Sequence, residues 1–252
     1  MKREFYTQYS NYLNRDMHIL VHGHAGVPVI AFPCQDGMCD NWESFNMQDT
    51  LAEFIESGRI QLFSVDTVDL ESWSDKYGDK GHRSWMQEMY YNYIIEEALP
   101  MIREINGSGQ MPIATGFSLG ASHAAIVALR RPDLFGGMIA LSGCYDASTD
   151  FWDGWMDERL YNNSPVHFMA NMPADHPWVD LYNQRRYVIC VGQGAWEDIG
   201  IRTSGQLKDI FDQKGIDIWV DFWGYDVNHD WPWWRVQINY FLPWVLEQYE
   251  MK

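Results

Sequence analysis

Residues Gly116-Phe117-Ser118-Leu119-Gly120 lie between a short apolar run, Met111 to Thr115, and a stretch with helical patterning, Ala121 to Arg131. A GxSxG string at a strand-to-helix junction narrows the folds open to this chain more than any other feature of its sequence. The serine of such a turn takes a strained, sharply bent backbone conformation, and only residues without a Cβ two places either side let strand and helix approach closely enough. Its hydroxyl is then held out at the carboxyl end of a sheet. Five-residue strings of this kind also arise by chance, so the weight falls on the flanks and on the residues further along the chain.

The flanks belong to an alternation that runs almost the whole length. Glu4 to Tyr12 and Met17 to Val21 read as an antiparallel hairpin closed by Leu13 to Asp16. Val27 to Phe32 is a near-continuous apolar run, the mark of a strand buried on both faces of a parallel sheet. Ile60 to Asp66, Met111 to Thr115, Gly137 to Gly143, Tyr187 to Val191 and Asp217 to Phe222 are the further strands. Helices are predicted over Met47 to Ser57, over Arg83 to Ile105 with an interruption at Pro100, and over Ala121 to Arg131, Thr203 to Lys214 and Trp233 to Tyr249. The expected fold is α/β: a mostly parallel twisted sheet with an antiparallel N-terminal start and helices on both faces. At 252 residues the chain fits one domain, 1–252. Cys144 to Arg186 breaks the rhythm. It shows no clear strand, is rich in Trp, Tyr, Met, Asn and Pro, and is expected to form a lid or cap insertion, 144–186.

Charge excludes several functions. Acidic side chains number 35 against 18 basic ones, a formal charge of −17. That balance opposes contact with phosphate backbones and anionic lipid, so neither nucleic acid nor a membrane is an expected partner. No apolar run is long enough to span a bilayer, and Met1-Lys2-Arg3-Glu4-Phe5 leads into polar and aromatic residues rather than an apolar signal core. A soluble, cytoplasmic protein is expected. Cys34, Cys39, Cys144 and Cys190 form no CxxC and show no spacing with histidines that suggests zinc, so free thiols are expected. Cys190, inside an apolar run, reads as inert core, and Cys34 and Cys39 as partly exposed loop residues. His22 and His24 lie two apart but lack a third ligand, and read as surface or turn histidines. No metal and no cofactor are expected.

A serine hydroxyl is a poor nucleophile at neutral pH unless a histidine accepts its proton and a carboxylate fixes the imidazole. With a GxSxG serine the chain order is serine, acid, histidine. His229 follows the last strand in the loop Trp223 to Trp231 and is the candidate base. The acid belongs in the preceding loop, Gly192 to Asp198, where Glu197 and Asp198 compete; the longer side chain favours Glu197 without excluding its neighbour. Asp226 and Asp230 flank the histidine and more naturally shape its loop. Two backbone N–H groups are needed to stabilise the developing alkoxide. Leu119 supplies one, and Cys34 or Gln35, in the breaker-rich loop after Phe32, the other. His123 reads as a packing residue or one acting through its neighbours.

The string Gly116 to Ala125, GFSLGASHAA, followed by Arg131-Pro132-Asp133-Leu134-Phe135 and Leu141-Ser142-Gly143, resembles the putative esterase family of α/β hydrolases, which includes feruloyl esterases, S-formylglutathione hydrolases and mycolyl transferases. His229-Asp230-Trp231 followed by Trp234 is similar to that family's tryptophans just after the catalytic histidine. The resemblance covers most of the chain from Val27 onward, although the Phe-Pro opening of the loop after Phe32 departs from the commoner His-Gly oxyanion motif. It implies an α/β-hydrolase fold with an aromatic-rich lid, Ser118 as nucleophile, His229 as base, and hydrolysis of a carboxylic ester of a small molecule through an acyl-serine intermediate. An acyltransferase would use the same triad; a catalytically silent binding protein would not need the intact order. Trp152, Trp155 and Trp231 are candidates for stacking on sugar or aryl rings of a substrate, and such aromatic residues would equally suit the core of the insertion or a homo-oligomer interface.

Overall fold

The computed structural model describes residues 1–250. Strands β1 (Arg3–Ser10) and β2 (Arg15–His22) form an antiparallel hairpin, with Arg3 opposite His22 and Ser10 opposite Arg15. Six further strands follow: β3 (Val27–Phe32), β4 (Ile60–Val65), β5 (Ile113–Phe117), β6 (Gly137–Leu141), β7 (Arg186–Val191) and β8 (Trp219–Phe222). They join the hairpin in one eight-stranded sheet ordered β1-β2-β4-β3-β5-β6-β7-β8, antiparallel as far as β4 and parallel from there. This is the α/β-hydrolase fold.

Helices follow in chain order: α1 (Asn41–Ser44), α2 (Met47–Thr50), α3 (Ala52–Glu56), α4 (Lys80–Tyr93), α5 (Leu99–Asn106), α6 (Leu119–Arg130), α7 (Ala147–Phe151), α8 (Glu158–Asn162), α9 (Pro165–Asn171), α10 (Trp178–Asn183), α11 (Asp198–Lys214) and α12 (Trp231–Glu250). They cover both faces, because the strands are apolar on both. Along β3, Ile30 and Phe32 join a core with α4, α5, α6 and α11, whereas Val29 and Ala31 join a second core with α1, α2, α3 and α12. The two-residue alternation of strand side chains thus divides one apolar run between two layers.

Several helix expectations need correction. The helix expected over Met47 to Ser57 is split at Leu51, whose φ of −100 and ψ of 9 separate α2 from α3. The long helix begins earlier than Arg83, where the Asp79 side chain accepts the His82 N–H at 2.8 Å. Pro100 does not end it. A π-helical turn, Ile94–Ala98, precedes the proline and makes room for a ring that lacks an N–H and would otherwise meet the carbonyl one turn back. His22, expected at the surface, is buried with Nε2 3.1 Å from Glu43 Oε1. Cys39 is likewise buried, its N–H bonded to Asp66 Oδ1 at 2.9 Å.

The 144–186 insertion folds into α7 to α10 and packs inward. Tyr145, Trp152, Leu160, Met169 and Tyr182 all belong to the core shared with α4 and α6. Tyr182 donates its hydroxyl to Leu129 O at 2.5 Å, and the buried Arg83 lies over the Trp152 ring while donating to Ser72 O and Phe151 O. Burying each large apolar side chain contributes about 1.5–3 kcal/mol, so the insertion is fused to the core.

Candidate active site

Register brings the loops to one edge. Phe32 pairs with Gly116, Phe117 with Leu141, Leu141 with Cys190, and Val191 with Phe222, so β3, β5, β6, β7 and β8 all end side by side. Ser118 stands at the centre of that edge with φ 55 and ψ −129, a conformation costly for any residue with a Cβ. Its glycines are steric requirements. A Cβ on Gly116 would lie 2.2 Å from Gly120 O, and one on Gly120 would lie 2.4 Å from Pro33 O. The serine N–H is bonded to Leu141 O at 3.0 Å, fixing the turn against the neighbouring strand.

His229 reaches Ser118 from the loop after β8. Its Nε2 lies 2.9 Å from Ser118 Oγ and its Nδ1 lies 3.1 Å from Glu197 Oε2. A carboxylate only accepts, so Nδ1 carries the proton and Nε2 presents its lone pair to the serine hydroxyl. The loops bearing His229 and Glu197 are zipped together: Gly194 N–H donates to Val227 O at 2.8 Å, His229 N–H to Ala195 O at 3.0 Å, and Ala195 N–H to Asn228 Oδ1 at 2.8 Å. Glu197 is buried, and Asp198, the first residue of α11, is exposed and takes no part in this chain of bonds. Asp230 closes the histidine loop by accepting the Trp231 N–H at 2.8 Å.

Ser142, which sequence reading did not single out, completes the arrangement. At φ 58 just beyond β6, its hydroxyl donates to Glu197 Oε1 at 2.6 Å and accepts from Trp234 Nε1 at 3.0 Å. Both Glu197 oxygens are therefore engaged, and the Trp234 ring stands edge-on to His229 at 5.0 Å. Gly200 keeps space for the carboxylate, since a Cβ there would lie 3.2 Å from Glu197 Oε2. A polar residue directly after the apolar β6 run, beside the strand that leads to the acid, was the available signal.

The two oxyanion candidates in the loop after β3 differ. Cys34 donates its N–H to the Asn41 side chain at 3.1 Å, which commits it elsewhere, and burial pushes its thiol up to about 12. Among the described residues no acceptor takes the Gln35 N–H, and Gln35 lines a cavity of about 250 Å³ together with Ser118, Leu119 and His229. Leu119 opens α6, where a first-turn N–H has no partner within the helix.

The tryptophans expected to bind substrate lie elsewhere. Trp152 is wholly interior against Trp73 and Arg83, Trp155 packs on the same core, and Trp231 stacks on Phe45 at 4.1 Å on the other side of the sheet. The long aromatic side chains Trp152 and Trp155 serve the packing of the insertion on the core. The apolar side chains on the cavity are instead Leu119, Phe151, Trp196 and Ile199. A larger cavity of about 350 Å³, bordered by Tyr91, Arg130, Met172 and Trp178, contains neither Ser118 nor His229. Among the described residues no cluster of three or more His, Cys, Asp or Glu is arranged to hold a metal, and no helix is long and apolar enough to cross a membrane.

A family model described as Putative esterase matches residues 10–245. Solved structures of similar shape include a ferulic acid esterase (16% identity, TM-score 0.77, 98% of each chain covered). An S-formylglutathione hydrolase from Agrobacterium tumefaciens is 17% identical with a TM-score of 0.71, over 98% of this chain and 95% of that one. MPT51 (FbpC1) of Mycobacterium tuberculosis is 17% identical with a TM-score of 0.74, over 98% of this chain and 99% of that one. No curated protein matches the sequence.

Proposed function

Since the chain belongs to the Putative esterase family, we propose that it hydrolyses a carboxylic ester through an acyl-serine intermediate, with Ser118 as nucleophile, His229 as general base and Glu197 as the carboxylate that orients it. The observation that carries this reading is the unbroken path from Ser118 Oγ through the His229 ring to Glu197, at 2.9 and 3.1 Å. As Ser118 Oγ attacks the ester carbonyl, His229 Nε2 takes its proton and Glu197 stabilises the imidazolium. The carbonyl oxygen gains a negative charge facing the Leu119 and Gln35 N–H groups; a single such donor is worth about 3–4 kcal/mol in the transition state. Collapse breaks the bond to the alcohol oxygen, which leaves with the proton from His229. Water then repeats the sequence on the acyl-serine, giving its proton to His229 and releasing the carboxylic acid.

Leu119, Phe151, Trp196 and Ile199 give the cavity apolar walls, and among the described residues no lysine or arginine lines it. That supports an uncharged group of modest size as the part bound beside Ser118. Ser118→Ala is expected to lower hydrolysis of p-nitrophenyl acetate by roughly 10⁴-fold or more and to abolish labelling by a fluorophosphonate. Labelling that persists in the variant would remove Ser118 from its role. Product that partitions to an added alcohol rather than to free acid would mark a transferase.

A further inference from the structure

Behind the cavity lies a second histidine–carboxylate pair that takes no direct part in acyl transfer. His123 stands on α6, just over one turn beyond Ser118, and Asp69 lies in the segment after β4; their side chains are 1% and 0% exposed, with His123 Nε2 2.9 Å from Asp69 Oδ1. Phe32, Trp73 and Tyr90 surround the imidazole. The other carboxylate oxygen, Oδ2, accepts the backbone N–H of Asp36 at 3.2 Å.

Asp36 immediately follows Gln35. The Gln35 N–H belongs to a peptide whose neighbours are both held: Cys34 N–H by Asn41 Oδ1 at 3.1 Å, and Asp36 N–H by Asp69. Ser74 reinforces the second hold. Its N–H donates to Asp69 O at 2.8 Å, its hydroxyl donates to Asp36 Oδ1 at 2.5 Å, and it accepts from Gln35 Nε2 at 2.7 Å. Asp36 itself is at φ 62, a conformation its neighbours must maintain. An apolar pair of similar volume would fill the aromatic enclosure with no desolvation cost. What a carboxylate adds is an acceptor directed at one peptide of this loop, and what the imidazole adds is a donor that holds the carboxylate in that direction.

We propose that His123 and Asp69 are positioning residues that tie the helix bearing the nucleophile to the loop bearing the second oxyanion donor, so that the Gln35 N–H is aimed where charge develops on the ester carbonyl. This inference rests on the acyl-serine reading. It is tested with His123→Gln, which keeps an N–H donor, and His123→Leu, which keeps bulk without one. The readouts are kcat and KM for p-nitrophenyl acetate, the thermal midpoint, and the Ki of a trifluoromethyl ketone, which becomes an oxyanion when the serine adds to it. His123→Leu is expected to lose about 10- to 100-fold in kcat, with KM within about twofold, and to lose ketone affinity in proportion; His123→Gln is expected to recover most of both. Wild-type kcat and ketone affinity in His123→Leu would overturn the proposal, as would a rise in KM with kcat unchanged. Should His123→Leu not fold, Asp69→Asn decides, since it keeps the shape but replaces a charged acceptor by a neutral one. About a tenfold parallel loss of kcat and ketone affinity is then expected, and wild-type kcat would overturn the pair's role. Wild-type protein that takes up no fluorophosphonate would overturn the acyl-serine reading, and this inference with it.

Discussion

Trp196 has φ 67 and is 86% exposed, and the residue after it, Glu197, is 1% exposed. The left-handed turn at Trp196 reverses the direction of the chain's side chains and drives the carboxylate inward, at a cost of about 1–2 kcal/mol for a residue with a Cβ. The bonds of Ala195 to Asn228 and His229 hold the turn in place. Asp198 then opens α11 and faces solvent. Glu197→Gln is expected to lower kcat by about 10³- to 10⁴-fold, whereas Asp198→Asn should stay within about threefold of wild type. Steady-state kinetics of the two variants checks this, and equal losses would leave Glu197 without a distinct role. The sequence narrowed the acid to two neighbours and went no further for a physical reason. Glycine and asparagine announce left-handed backbone; a tryptophan does not. Ser142 at φ 58 was hidden in the same way, as a serine closing an apolar strand.

Strands were more legible than helices. A strand buried on both faces needs only an apolar run, and β3, β6 and β7 come close to that condition in the sequence itself. Helix limits depend on caps and neighbours: α11 opens at Asp198, five residues before the Thr203 expected from the pattern, and its first turn includes Gly200, where Val191 and Glu197 crowd the position of a Cβ. The joint between the edge hairpin and α1 depends on such a tertiary contact, and it titrates. Burial lowers the pKa of His22, against the raising effect of Glu43, while Arg3 and then His22 hold the Glu43 carboxyl down to about 2 despite some burial. Both folded-state values lie below the ordinary ones, so on acidification the unfolded chain binds protons first and stability falls. The His22 share is present above its ordinary value of 6.5 and is lost below it; the Glu43 share is lost from about 4.5 down to about 2. The Glu43 share is that of a partly exposed ion pair, roughly 0.2–1 kcal/mol. His22→Gln is expected to flatten the fall in thermal midpoint between pH 6.5 and 5, measured by calorimetry across that range. An unchanged slope would place the acid sensitivity elsewhere.

Parallel strands gather the loops after β3, β5, β6, β7 and β8 at one edge, so whatever reaches Ser118 must cross the field that those loops and the rest of the chain create. That field is strongly negative, with a formal charge of −17. Among the described residues nothing at the cavity reverses it. Its lining includes no described lysine or arginine, and Arg202, beyond the lining, is held by Asp150 and Asp146. An ester with a negative charge on its acyl group is therefore opposed twice, by the field during approach and by the absence of a partner once bound. The first effect is screened by salt and the second is not, because the screening length falls from about 30 Å at 0.01 M to about 3 Å at 1 M while the cavity walls stay the same. The ratio of kcat/KM for p-nitrophenyl hemisuccinate to that for p-nitrophenyl acetate should thus rise several-fold between about 10 mM and about 500 mM salt and still remain below one. An ester carrying a quaternary ammonium should move the opposite way, losing its advantage as salt rises. Ratios that do not move with salt would mean that local contacts, and not the charge of the whole molecule, set the preference.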